Sequence, residues 1–107
     1  PPFRANLSGL EGKHVVLVKV WLEVDTFAVA EELNDDHAKF RRMTDDILQT
    51  IKSWTYAELT FGNGMDRLKD QLRDHVNRYL TRGKVLRVLF PEIVFDEILP
   101  RPAPPQQ

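Results

Sequence analysis

The chain has 107 residues, the size of a single domain, and a formal net charge of −1 from 15 basic and 16 acidic residues. This balance excludes the broad basic surface that binds nucleic acid, and the absence of cysteine excludes disulfide scaffolds, cysteine-ligated zinc and thiol nucleophiles. The sequence has no apolar run near the roughly 18 residues that a membrane-spanning helix requires. Its start at Pro1–Pro2, without Met, indicates a fragment or a processed chain.

Two β-strands are predicted before the first helix. Apolar and polar residues alternate over residues 1–7, which predicts a short extended segment, and the glycines of residues 8–12 predict a turn. Residues 13–24 then carry an apolar side chain at every even position from 16 onward, which is typical of a strand with one buried face.

The odd positions of the second strand carry more apolar surface than a solvent-facing side should. They are Val15, Leu17, Lys19, Trp21 and Glu23. Two interpretations remain open: the ends of the chain cover this face, or it contacts a second copy or another partner. For the second case, we predict a candidate assembly interface formed by Leu17, Lys19, Trp21 and Glu23.

Helices are predicted for most of the middle of the chain. Apolar side chains recur at spacings of three and four over residues 26–54, with a break predicted near Asn34–Asp35. Thr55 followed by Glu58 has the capping-box pattern, which predicts a short helix. A last amphipathic helix follows, and Gly83 is predicted to end it as a left-handed cap.

Residues 84–98 form the second β-rich stretch. Leu86 and Val88 are predicted to share one face of it. Because Pro91 has no amide hydrogen to donate, we expect a bend there and a separate strand beyond it. The remaining residues, 99–107, are rich in proline and predict an extended or disordered tail.

No residue pattern predicts a catalytic, metal or cofactor site. The three histidines are scattered, and Asp45–Asp46 diverge around a helix, so that a solvent-facing position is predicted for both. The sequence therefore predicts a protein that is not an enzyme and has no cofactor. A small-ligand binding or hydrolytic domain is an alternative that a pocket lined by His37 or His75, with a nearby carboxylate, would favour.

Six motifs in a fixed order carry a family resemblance. They are Pro2–Leu7 (PFRANL), Lys19–Val24 (KVWLEV), Arg42–Leu48 (RMTDDIL), Trp54–Leu59 (WTYAEL), Gly64–Lys69 (GMDRLK) and Gly83–Phe90 (GKVLRVLF). Together they resemble the periplasmic domain of the FliL family of flagellar basal-body-associated proteins, over about residues 3–98. Trp54 and the loop over residues 61–63 depart from the family's pattern.

We predict an α/β (α+β) two-layer sandwich, with a small β-sheet and two to three helices packed on one face. The resemblance implies a fold similar to that of the stomatin, prohibitin and flotillin group. It assigns residues 1–98 to a FliL-like periplasmic domain and leaves residues 99–107 as a proline-rich tail.

The resemblance also implies a function. Such a protein is a structural component of the flagellar basal body, anchored in the inner membrane by an N-terminal helix that is missing from this chain. It forms ring-like homo-oligomers around or beside the MotA/MotB stator and supports torque, swimming, swarming and chemotaxis. Without its anchor the domain loses local concentration, so a monomer in isolation is compatible with a ring. The alternative is a stomatin-like membrane scaffold outside the flagellum.

Overall fold

The structure is a computed structural model that describes residues 2–8 and 13–98. The elements in chain order are β1 (Phe3–Asn6), β2 (Lys13–Val24), α1 (Ala28–Asp35), α2 (His37–Lys52), α3 (Tyr56–Thr60), α4 (Gly64–Asn77) and β3 (Val85–Ile98). Most of the turn predicted before β2, residues 9–12, and the tail over residues 99–107 lie outside the described residues. Within the described ranges, no helix is long and apolar enough to span a membrane.

The fold is a three-stranded antiparallel sheet combined with helices, which confirms the predicted α+β class. β2 is the central strand, with β1 on one side and β3 on the other. The described residues form four helices, whereas two to three were predicted to pack on the sheet.

The even face of β2 lies against the helices and forms the core. Val16 and Val18 are each 1% exposed, and Val20, Leu22 and Val24 pack against the same cluster. Burial of these apolar side chains is the main favourable term in folding. Helices α2 to α4 contribute Met43, Ile47, Ile51, Leu59, Leu68, Leu72 and Val76. The prediction that the even face packs against the chain's own helices is confirmed.

Local capping signals set the helix boundaries. The capping box is present: the Glu58 amide donates to Thr55 Oγ1 at 3.1 Å, and the Thr55 amide donates to Glu58 Oε1 at 2.9 Å. The break between α1 and α2 lies at Asp36, just past the predicted position. Asp36 Oδ1 accepts the Lys39 amide at 2.9 Å and so caps α2.

The last strand, β3, is continuous, and the prediction of a second strand piece after Pro91 was wrong. Lys19 is opposite Glu92 and Trp21 is opposite Leu89, so two residues of β3, one of them Pro91, face a single residue of β2. This bulge accommodates the proline within the ladder. Among the described strands β3 pairs only with β2, so Pro91 lies in an edge strand, where its missing amide is tolerated.

A second irregularity reverses the predicted faces at the start of β3. Val85 and Val88 are buried, whereas Leu86 is 51% exposed. The register shifts between Glu23 and Val24, which inserts one residue into β3. Leu86 and Val88 therefore do not share a face as predicted.

Gly83 is not a helix cap. Helix α4 ends at Asn77, and among the described residues only Gly62 has a positive φ, of 55°. A Cβ on Gly83 would lie 2.5 Å from Thr26 Cγ2 and 2.7 Å from Val29 Cγ2. Glycine fits at this position because any larger residue would press on side chains of Asp25, Thr26 and Val29, just before and within the first turn of α1.

Candidate assembly interface

The odd positions of β2 and their partners on β3 form the side of the sheet away from the helices. A residue of β2 and the residue of β3 directly opposite share a face, and we call each such pair a rung. The rungs are Leu17–Val94, Lys19–Glu92, Trp21–Leu89 and Glu23–Arg87. We refer to these eight residues as the outer face.

The apolar rungs of the outer face are exposed. Trp21 is 58% exposed, Val94 56%, Leu17 39% and Leu89 36%. Val15, which continues the odd positions at the start of the strand, is buried. Complete burial of Trp21 would have favoured cover by the ends of the same chain. Its exposure on a paired central strand leaves a rigid apolar surface.

The remaining rungs of the outer face are ion pairs of opposite orientation. Lys19 Nζ lies 3.5 Å from Glu92 Oε2, with the base on β2. Arg87 donates to Glu23 Oε2 at 2.7 Å, with the base on β3. Exposed pairs of this kind contribute about 0–1 kcal/mol to stability. Their consequence for recognition is a face on which apolar and ionic rungs alternate.

The structure brings together all four residues predicted for the interface, Leu17, Lys19, Trp21 and Glu23. The β3 half of the face was missed by sequence reasoning. Its members could not be assigned because the bulge at Pro91 and the shift near Val85 both change which residues of β3 face outward.

Asp46 lies in a polar cluster between α2 and α4, and the predicted solvent-facing position was wrong for it. Its carboxylate accepts hydrogen bonds from His75 Nδ1 at 2.9 Å, Tyr79 at 3.0 Å and Thr50 at 3.2 Å. Partial burial would raise the pKa of Asp46, but the three hydrogen bonds together lower it. The hydrogen bond to Asp46 raises the pKa of Tyr79, and burial of the hydroxyl raises it further.

The cluster does not have the geometry of a catalytic triad. Thr50 Oγ1 and Asp46 Oδ1 both contact Nδ1 of His75, at 3.3 and 2.9 Å. In a triad the carboxylate and the nucleophile bind different ring nitrogens, so that the histidine can take a proton from one while the other holds its orientation. The cluster connects the two helices and leaves the hydroxyl without a base.

Comparison with known proteins decides the family. The family model described as "Flagellar basal body-associated protein FliL" matches residues 1–95. The chain belongs to the FliL family. It is also 31% identical, over 96 residues, to the flagellar protein FliL of Aquifex aeolicus (strain VF5), covering 90% of this chain and 58% of that protein. The chain thus spans little more than half the length of this relative.

FliL is a family of flagellar structural proteins, not of enzymes. A groove of about 360 Å³ between the sheet and α2 has no acidic, basic or thiol side chain among its described lining residues, which are Pro2, Phe3, Val20, Leu22, Phe40, Met43, Thr44 and Ile47. A second depression contains His37, but no carboxylate among its described lining residues.

The Asp46 cluster can be tested by comparing neighbouring aspartates. We expect Asp46→Asn to destabilise the FliL domain by about 1–2 kcal/mol, because an amide cannot accept all three hydrogen bonds with the strength of a carboxylate. Asp45→Asn is the matched control, since Asp45 is exposed. Urea denaturation at neutral pH measures both. Equal stability of the two variants would show that the cluster contributes nothing.

Proposed function

We propose that copies of this FliL domain self-associate through the outer face, and that the assembly lies around or beside the MotA/MotB stator, where it supports torque, swimming and swarming. The observation that carries the proposal is Trp21, a large aromatic side chain that is 58% exposed on the central strand. Aromatic residues on rigid elements are the usual anchors of protein interfaces. Membership of a family of flagellar basal-body-associated proteins supports a location at the flagellum.

The proposal includes the setting of the domain. Residues 1–98 would be a periplasmic domain and residues 99–107 a proline-rich tail, with an N-terminal membrane helix in the full-length protein holding copies at the inner membrane. Anchoring raises the local concentration of copies, so a small interface suffices for assembly. We also propose that the fold is similar to that of the stomatin, prohibitin and flotillin group, which would fit ring-like assembly because that group assembles into rings.

Trp21→Ala in the full-length, membrane-anchored protein tests this function. We expect the fold to be retained, since surface substitutions usually change stability by less than about 0.5 kcal/mol. Loss of a central aromatic anchor should weaken self-association by about tenfold or more. Cross-linking in cells and the rate of swarm expansion should fall together.

The matched control for Trp21→Ala is Phe61→Ala. Phe61 is 81% exposed but follows α3, outside the outer face. We expect this control to leave cross-linking and swarming unchanged. Normal assembly and motility in the Trp21 variant would contradict the proposal. Lost assembly with normal motility, also in a deletion strain, would favour the stomatin-like scaffold outside the flagellum.

A further inference from the structure

The charges of the outer face form a checkerboard. On β2, Lys19 is positive and Glu23 negative, whereas on β3 the opposite positions, Glu92 and Arg87, carry the reverse signs. The apolar Trp21–Leu89 rung lies between these two ionic rungs. A surface with this pattern is complementary to a rotated copy of itself, which is the requirement for a two-fold contact between identical chains.

We infer that two copies pack outer face against outer face, about a two-fold axis that is parallel to the strands and lies between β2 and β3. This inference deepens the proposed function, on which its cellular role rests, by naming the partner of the outer face and the arrangement. A two-fold contact closes at two copies, so the pair is the unit from which a larger assembly is built through other surfaces. The rotation places β2 of each copy over β3 of the other. Sheets packed face to face are about 10 Å apart with their strands nearly aligned, as this axis requires.

The parallel axis provides a counterpart for every rung. Lys19 faces Glu92 of the second copy, and Glu23 faces its Arg87, so both ionic rungs meet opposite charge. The large Trp21 faces the smaller Leu89 of the second copy, and large-on-small packing fills the space between two sheets better than two large side chains opposed. Leu17 in turn faces Val94 of the second copy.

A two-fold axis perpendicular to the strands is less favourable. Centred on the Trp21–Leu89 rung, it also opposes unlike charges, since Lys19 then faces Glu23 of the second copy. However, it stacks Trp21 on Trp21 and carries the Leu17–Val94 rung past the end of the facing strand. It also points the two copies in opposite directions, whereas the parallel axis keeps their N-terminal ends on one side, as two copies anchored in one membrane need.

The contact is small. The four rungs extend over about 20 Å along β2, since Leu17 and Glu23 are six residues apart and each residue of a strand adds roughly 3.3 Å. Across the strands, the face is two strands wide. This is less than the roughly 800 Å² per partner of a standard interface. We therefore expect a weak dimer that forms at high local concentration, in which the ionic rungs determine which copies pair rather than how tightly they pair.

Exchanging the charges of one rung tests the inference. The variant Lys19→Glu/Glu92→Lys retains an ion pair within the chain, so its fold and melting temperature should match those of the original chain. Two copies of this variant still place opposite charges across the parallel axis. A variant copy facing an original copy would instead oppose lysine to lysine and glutamate to glutamate. The inference predicts that each form pairs with itself and that the two forms do not mix.

The measurement is native mass spectrometry of the 107-residue chain, with one form isotopically labelled, over a concentration series up to about 1 mM. We expect mixed dimers to be at least about tenfold below the statistical fraction, because like charges opposed across an interface disfavour the mixed pairing. A statistical fraction of mixed dimers would overturn the inference. So would a variant that no longer pairs with itself, the result expected for the perpendicular axis, or an original chain that stays monomeric throughout.

The outcome is separable from that of the proposed function. Selective pairing in solution combined with normal motility of the Trp21→Ala strain would support the two-fold contact and contradict the flagellar role of the face. Statistical mixing combined with impaired motility would overturn the two-fold contact and leave the outer face as a surface for another arrangement of copies or for the stator.

Discussion

Gly64→Ala is expected to destabilise the domain by about 3 kcal/mol or more, because the added methyl group has no room. A Cβ on Gly64 would overlap the backbone carbonyl oxygen of Glu58, and it would also lie 2.9 Å from the Glu58 carbonyl carbon and 3.1 Å from Leu59 Cα. These neighbours are backbone atoms, which cannot rotate away as a side chain can. Helices α3 and α4 would have to separate, which would disturb the packing around Leu59.

Gly62→Ala is the matched control for this prediction. Nothing lies within 4 Å of a Cβ at Gly62, but its φ of 55° is unfavourable for any residue with a side chain. We expect a loss of about 1–2 kcal/mol for this variant. Urea denaturation measures the free energy of unfolding of each variant and so compares the steric clash at Gly64 with the unfavourable φ at Gly62. If the two variants were equally stable, the close approach of α4 to the backbone of α3 would be contradicted.

Gly64 also gives a physical basis to one of the motifs that resembles the FliL family. The motif Gly64–Lys69 contains Leu68, one helical turn beyond the glycine and only 2% exposed. On a helix, residues four apart lie on the same side. The glycine thus allows the start of α4 to contact α3 closely, and Leu68 continues that contact into the core. The motif encodes helix packing rather than a binding site.

The predictions that the structure confirms rest on short-range patterns. The period of two in β2 identified the buried face of Val16 and Val18, and the Thr55–Glu58 capping box placed the start of α3. These signals involve residues within a few positions of each other, so the local geometry of a strand or a helix determines them. The same period of two identified the exposed position of Trp21.

The predictions that were wrong depend on residues far apart in the sequence. Nothing near Pro91 indicates that a bulge against β2 keeps β3 continuous. The position of Gly83 in the sequence is typical of a helix cap, but the need for glycine there comes from the close approach of Thr26, which is far away in the sequence. The sequence around Asp46 predicts a solvent-facing residue, but His75 in α4 and Tyr79 just after it bind its carboxylate. Single-sequence patterns contain no information on such tertiary partners.

Glu32 is another residue whose role comes from distant contacts. Its position in α1 suggests only a favourable interaction with the helix dipole. In the structure it is 3% exposed, lies 2.7 Å from Lys39 Nζ and accepts the backbone amides of Thr81 and Arg82 at 2.9–3.0 Å. It therefore joins α1 to α2 and to the segment before β3. The hydrogen bond from Lys39, and after it those from Arg82 and Thr81, lower the pKa of Glu32 to about 2, although burial opposes this shift.

The lowered pKa predicts an acid-sensitive contribution to stability. Because the folded state holds the carboxylate form more strongly than the unfolded state does, the contribution is complete above the ordinary pKa of 4.5 and is lost as the pH falls towards about 2. Glu32→Gln removes the charge at every pH. We expect this variant to melt well below the original chain at pH 7, and the difference in melting temperature to shrink steadily between about pH 4.5 and pH 2.

The matched control is Glu31→Gln, which changes the same charge on an exposed neighbour in the same helix. We expect it to melt close to the original chain at every pH, since an exposed helix-dipole interaction contributes only about 0.3–1 kcal/mol. Circular dichroism melts of the three proteins at half-unit steps from pH 7 to pH 2 provide the comparison. If the melting temperature of Glu32→Gln stayed below that of the original chain by the same amount at every pH, the charge of the buried carboxylate would not be what holds α1 to the segment before β3.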